Sequence, residues 1–420
     1  MACKCFGNLC GNIGSSVATR VGYGLLFLFN AILAWISLSD AWTKKLEEMA
    51  HGYLKIQCPQ GNCYGVLSVH RIQFALCLFH FIMSVLMLNV KSSRDPRSDI
   101  QKGYWGPKLL CYIALVILSF FIPNDFFVVY AAYIAVIGAF IFILIQLILL
   151  TDMAHTFTER MIEQWDLEQN NFYLGVLIGT SLLLIIGTII VTVLLYVWFG
   201  SSKCALNQFF ISFNLILAIA ITLASVSPVV QEHNPQSGLT QSSIVMAYSS
   251  YLIFSAIVNE PTNDCNPFQS NPSQTTSIVL GALFTFVAIL YSTSAAATKS
   301  AELTGQDVQS AVPLVGGSNA REEAMTSNVD GYPVDDEADG CLYSYAFFHF
   351  VFGIACMYTS MLLTNWNHLS LEVGNDGQQF VHVGQNWASV WVKVISSWGV
   401  ILLYLWTLFA PILLPDREWY

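Results

Sequence analysis

The sequence predicts an all-α membrane protein with ten transmembrane helices, and three observations predict it. Of 420 residues, 55% are hydrophobic and the mean hydropathy is +0.58. Only 10% are charged, against about 25% in soluble domains. Ten apolar segments are long enough to span, at 20–39, 66–90, 104–122, 125–151, 172–198, 206–228, 239–258, 274–296, 342–364 and 388–414. The third observation is one stretch, Asn124 to Asp166, whose helical pattern outlasts any bilayer.

Taken in order, residues 1–19 form a cytoplasmic tail that begins MACKCFGNLCGNIGSS and lacks the apolar core of a signal peptide. Its Cys3, Cys5 and Cys10 are either palmitoyl acceptors or plain thiols. Residues 20–296 hold the first eight spans. Pro123 stops the third, Asn124 suits an N-cap, and Asp125 complements the positive end of the helix dipole. From Phe126 to Leu150 no residue is charged, and Gln146 is the only strongly polar side chain. Asp152, His155, Glu159, Glu163 and Asp166 then continue along one helical face. A helix of roughly 40 residues is about 60 Å long against a hydrocarbon core of about 30 Å, so it must tilt, protrude, or do both.

Residues 297–341 break the apolar pattern. They are acidic, carry Glu322, Glu323, Asp330, Asp335, Asp336, Glu337 and Asp339, and are expected to form a disordered cytoplasmic loop. Most of the net charge of −10 therefore sits in one segment, and nothing points to nucleic acid. Residues 342–420 supply the last two spans and a short cytoplasmic C-terminus.

Orientation follows from Lys and Arg. The short loop KSSRDPRSDIQKGYWGPK carries Lys91, Arg94, Arg97, Lys102 and Lys108, so it faces the cytoplasm and both termini do too. Cys58, Cys63, Cys204 and Cys265 then lie on the opposite side, where disulfides persist. Four cysteines allow three pairings. CPQGNC closes on itself at a turn, which favours Cys58–Cys63 with Cys204–Cys265, free thiols being the alternative.

Ionisable groups inside spans mark function or a satisfied core. Arg71 and Lys393 lie near span ends and are expected to snorkel outward. His80, His349, Asp152 and His155 fall at matched depth on three spans, and with Gln146 they form one polar cluster if those spans touch. Asn214, Ser249, Ser250, Thr285 and Ser292 enrich spans six to eight. Such residues either glue helices or line a groove for lipid headgroups. There is no Walker A sequence, HExxH, GxSxG or Cys/His metal spacing. No nucleotide-driven or metal-dependent chemistry is visible, no cofactor is implied, and no enzyme is expected.

Several blocks resemble the serine incorporator (TDE/TMS) family: VKSSRDPRSDIQKGYWGPK at 90–108, FILIQLILLTDMAH at 142–155, SYAFFHF at 344–350, LLTNW at 362–366 and WVKVISSWGVILLYLWTLFAPILL at 391–414. The N-terminal cysteine segment and CNP at 265–267 fit as well, whereas the acidic loop and 41–64 match poorly. The resemblance implies ten helices in two bundles separated by one long diagonal helix, here 124–166. It implies a link to phosphatidylserine and sphingolipids, with ATP-independent phospholipid scrambling as the activity. The partners it implies are membrane phospholipids and sphingolipids. A serine carrier, or a scaffold for lipid-biosynthetic enzymes, is the alternative. The membrane is one of the endomembrane system: plasma membrane, vacuole or lysosome, Golgi or ER.

Overall fold

The computed structural model describes residues 16–50, 62–233, 238–262, 264–267, 341, 343–373 and 379–414. The chain runs through α1 (Ser16–Ile36), α2 (Asp40–Ala50), α3 (Asn62–Leu86), α4 (Ser98–Lys102), α5 (Trp105–Ser119) and α6 (Asn124–Val129). A π-helical segment, Tyr130–Ala135, joins α6 to α7 (Val136–Glu168). Next come α8 (Asn171–Phe199), α9 (Ala205–Ser225), α10 (Pro228–His233), α11 (Leu239–Ile257) and α12 (Tyr345–Leu363). A hairpin of β1 (His368–Val373) and β2 (Gln379–Gly384) precedes α13 (Trp387–Leu413).

Among the described residues, seven helices are long and apolar enough to cross a membrane. The other three expected spans differ for separate reasons. The segment 104–122 is helical for only 15 residues, as α5. The segment 239–258 is the 19-residue α11, whose serines dilute its hydropathy. The segment 274–296 lies outside the described residues, as do 297–340 of the acidic loop, 415–420 and residues 1–15 of the tail, whose residues 16–19 instead open α1.

From Asn124 to Glu168 the helix is continuous for 45 residues, about 68 Å at 1.5 Å per residue. It ends where Gln169 adopts a left-handed φ of 51° and Asn170 caps the next helix, its Oδ1 accepting from Phe172 N at 3.0 Å. The expected uninterrupted run contains the π-helical segment instead, an i→i+5 widening that leaves no trace in residue periodicity. The chain divides into two compact units within this helix: Met1–Phe142 with Ser277–Val383, and Ile143–Thr276 with Gly384–Tyr420.

In the first unit α3 is central, packed by α12, α5 and α1. Both α3 and α12 are buried along most of their length, the polar side chains of α3 included. Phe27 meets Phe352, and Tyr23 meets Phe348, at ring separations of 5.8 and 5.7 Å. Gly138 lets α7 approach α12, because a Cβ there would collide with Met357 Sδ. The hairpin went unforeseen, although HLSLEV and QFVHVG alternate in the strand manner around GNDG. In the second unit α8, α9, α11 and α13 form a bundle. Its core holds Ile221, Val245, Leu252, Val400 and Tyr404 at one level, and Phe199, Phe210, Ile253 and Val394 at another.

Two expectations need correction. Arg71 and Lys393 do not snorkel: they are 0% and 1% exposed. Arg71 Nη1 donates to Ser119 O and to Ile122 O, the latter at 2.8 Å, and Nη2 donates to Asn124 Oδ1 at 2.7 Å. Phe127 covers the guanidinium at 4.4 Å. Lys393 Nζ donates to Ser255 O at 2.9 Å. The physical reason is the same for both. A helix end or a bend frees carbonyl oxygens, and an inward acceptor at hydrogen-bond distance competes with the interface.

Arg97 braces the loop after α3. Its Nη1 donates to Leu88 O at 2.9 Å and Nη2 pairs with Asp95 Oδ2 at 2.8 Å. The hydrogen bonds from Arg97 hold the Asp95 carboxyl below its ordinary value of 3.8. A lowered carboxylate contributes above the unfolded value and loses its contribution as pH falls through the folded one. Amide exchange protection across 90–104 is therefore expected to stay flat from pH 8 to pH 5 and to fall only below 3.8; a change between pH 8 and 5 contradicts this. Replacing Arg71 with Leu strips three acceptors of their donor, at about 1.5–3 kcal/mol per bond to a charged group. The detergent-solubilised variant should melt several degrees lower, and a melting temperature equal to wild type would refute the buried clamp.

Candidate functional site

The second unit carries the serine-rich helix α11, within TQSSIVMAYSSYLIFSAI. Its polar side chains point into the bundle. Thr240 Oγ1 lies 2.9 Å from Ser181 Oγ on α8, and Ser225 Oγ on α9 donates to Ser242 Oγ at 3.1 Å. Asn214 Nδ2 donates to Ser250 Oγ at 3.0 Å. Ser397 on α13 donates to Asn214 Oδ1 at 3.3 Å and to Ser249 O at 3.2 Å. Ser249 turns its own hydroxyl to Met246 O at 2.9 Å. Four helices are thereby laced through small polar groups, each with a partner, which is how polar residues join helices in lipid.

Beside this seam an open groove runs between α8 and α11. Its volume is about 360 Å³, and Leu183, Leu184, Gly187, Val191, Leu195, Trp198, Tyr251 and Phe254 line it with Thr188 and Ser250. The lining is almost wholly apolar, because Ser250 is 2% exposed and Thr188 4%. Gly187 sits in the wall with nothing within 4 Å of where a Cβ would be. An acyl chain suits such a surface, and a bare headgroup does not.

Of the groove residues picked from the sequence, Ser249, Ser250 and Asn214 are thus buried in the helix seam. Thr285 and Ser292 lie outside the described residues. In the same unit His155 Nδ1 is 3.5 Å from Gln241 Nε2. Asp152 is half-buried on α7, and Gln146 is 3% exposed with its Oε1 unmatched among the described residues.

The first unit holds His80 and His349. Their Nδ1 atoms are 2.8 Å apart, and His349 Nε2 is 2.7 Å from Gln101 Oε1. Gln101 Nε2 donates to Tyr343 OH at 3.2 Å, and Lys108 Nζ to Gln101 O at 2.9 Å. Of the five residues of the expected cluster, His80 and His349 pair in the first unit, and Gln146, Asp152 and His155 belong to the second. Sequence reading passed over Gln101, Ser397 and Gly187. Gln101 stood inside the block KSSRDPRSDIQKGYW and Ser397 in ISSWG, both noted for other reasons.

Cys204 and Cys265 form a disulfide with Cα atoms 5.6 Å apart, tying the start of α9 to the segment after α11. Cys63 is itself disulfide-bonded, and Cys58, the partner the sequence favours, lies outside the described residues.

The sequence pattern described as Serine incorporator (Serinc) matches residues 1–417. The chain belongs to the serine incorporator family. It is 34% identical over 467 residues to membrane protein TMS1 of Saccharomyces cerevisiae, covering 99% of this chain and 95% of that one. A probable serine incorporator of Dictyostelium discoideum is 37% identical over 423 residues, covering 97% and 96%. Serine incorporator 3 of Bos taurus is 33% identical over 470 residues, covering 100% and 95%. With its several apolar helices, this serine incorporator family member is an integral multi-pass membrane protein.

The seam generates a prediction of its own. Asn214→Leu removes the side-chain partner of Ser250 and one of the two acceptors of Ser397, and an unmatched buried hydroxyl costs about 1–3 kcal/mol. Its melting temperature in detergent should fall clearly, whereas Thr407→Leu, a change on the half-buried side of α13, should leave it near wild type. Equal melting of Asn214→Leu and wild type would show that the seam does not hold the bundle.

Proposed function

We propose that this serine incorporator family member is an ATP-independent phospholipid scramblase that serves phosphatidylserine and sphingolipid homeostasis. The observation that carries the reading is the apolar groove between α8 and α11, set directly against a polar seam. Scrambling requires tails to remain in an apolar phase while a headgroup crosses, and it needs no energy source. A groove that seats an acyl chain beside Ser250 and Asn214 supplies the first half of that requirement. Headgroup passage along Ser249, Ser250, Asn214, Thr285 and Ser292 is the second half, and it requires the buried seam of Ser249, Ser250 and Asn214 to open toward the groove.

The architecture that belongs to this reading has ten spans in two bundles separated by the diagonal helix. Residues 1–19 form the tail, 20–296 hold eight spans, 297–341 form an acidic cytoplasmic loop, and 342–420 hold the last two spans. Both termini face the cytoplasm of an endomembrane compartment, and the partners are phospholipids and sphingolipids. The protein acts without catalysing a covalent step. A serine carrier, or a scaffold that presents serine to lipid-biosynthetic enzymes, is the second reading, favoured by the printed names of the relatives.

The test is reconstitution of the full-length protein in liposomes, with lipid flip-flop and serine uptake measured in one preparation. Wild type should speed flip-flop without serine uptake. Gly187→Phe fills the groove wall where space is open, so it should slow flip-flop severalfold while melting like wild type. Serine uptake without flip-flop would favour the carrier. Unchanged flip-flop in a folded Gly187→Phe protein would remove the groove from the mechanism.

A further inference from the structure

A polar stripe runs along one face of α3. His70, Gln73, Cys77, His80 and Ser84 succeed one another at helical spacings of 3 and 4, which stacks them on one side of the helix. The stripe bonds α1 through Gln73 and α12 through His80. At its first end Arg71, next to His70, bonds the Ser119–Asn124 turn after α5. Midway, Asn30 Nδ2 donates to Gln73 Oε1 at 2.8 Å, and Tyr112 of α5 donates to Asn30 Oδ1 at 2.8 Å. At the far end His80 reaches His349 and, through it, Gln101 in α4 just ahead of α5. The span between those connections is one 15-residue helix, about 22 Å.

Along this stripe buried atoms go unmatched. Both ring nitrogens of His70, Nε2 of Gln73 and Nε2 of His80 have no hydrogen-bond partner among the described residues. His70, Gln73 and His80 are each 0% exposed. Polar atoms at membrane depth are retained where a partner meets them. Water is small enough, and is donor and acceptor at once.

The proton positions follow from the bonds. Gln101 uses its amide N–H on Tyr343, so its oxygen faces His349 and Nε2 of His349 carries the hydrogen. A neutral His349 then accepts at Nδ1 from Nδ1–H of His80. That leaves Nε2 of His80 a bare acceptor on the stripe side of the ring. Tyr23 of α1 faces both rings at 5.8 and 4.8 Å, and Lys108 of α5 faces Gln101 and Tyr23. Tyr112, Tyr130 and Cys356 face the middle of the stripe, and Arg20 covers Tyr343 at 5.2 Å beyond the pair.

We propose that the α3 stripe holds a file of water between His70 and His80 and that this file carries protons through the first unit. A proton arriving at Nε2 of His80 is balanced by passage of its Nδ1 proton to Nδ1 of His349. His349 then releases its Nε2 proton to water as Gln101 swings aside. One proton enters, one leaves, and no electron moves. The inference stands apart from the lipid reading, which rests on the second unit.

Full-length protein in sealed liposomes, with a trapped pH dye and the potential clamped by potassium and valinomycin, tests it. Wild type should collapse an imposed pH step severalfold faster than protein-free liposomes. His80→Gln keeps a hydrogen-bonding side chain that does not pass a proton through, and should return the rate to the protein-free level. His70→Phe, which loses no partner among the described residues, should do the same from the other end while remaining monodisperse. Wild-type liposomes no faster than protein-free ones would overturn the proposal. So would a wild-type rate in either folded variant. Lipid flip-flop measured in the same vesicles separates the two readings: proton flux that rises and falls with flip-flop across the variants would mark a lipid-driven leak and overturn the file.

Discussion

The guanidinium of Arg71 is the contact on which much of the first unit depends. It joins α3 to the end of α5 and to Asn124, the first residue of the 45-residue helix. Three elements are thereby held at one level by one side chain. An arginine without a carboxylate partner is tolerable there because three oxygens and an aromatic face meet it. Charge in a membrane persists where the protein supplies its solvation, and here a helix end supplies it. Asn124, at the start of the longest helix, is thereby tied to a side chain from another span.

The two units handle internal polarity in opposite ways. In the second, Ser225 meets Ser242, Thr240 meets Ser181, and Asn214 meets Ser250 and Ser397, so the polar groups of the seam are matched. The outcome is adhesion between helices, and the open space lies beside the seam against leucine and aromatic walls. In the first unit His70, Gln73 and His80 leave nitrogens unmatched along a helix packed on all sides. A closed network holds helices together, whereas unmatched atoms invite a small ligand. Composition hides this contrast, since both units count as apolar with scattered polar residues.

Much of this protein was determined by its sequence alone. The membrane class, the start of the long helix at Asn124, the pairing of Cys204 with Cys265 and the family were all legible in the residues. These are one-dimensional properties. Run length against bilayer thickness decides a span, a proline decides where the long helix begins, with Asn124 inside the first turn and bonded to Arg71 rather than capping it, and two lone cysteines in separate loops leave few partners. Tertiary structure alone decided the rest. His80 and His349 meet across 269 positions of sequence, Arg71 and Lys393 turn inward rather than outward, and the groove is lined by leucines while the serines face the seam. Each of these depends on which faces of two helices come together. Hydropathy gives a span its depth, but an almost uniformly apolar helix carries little moment to orient it, so the choice of face waits for packing.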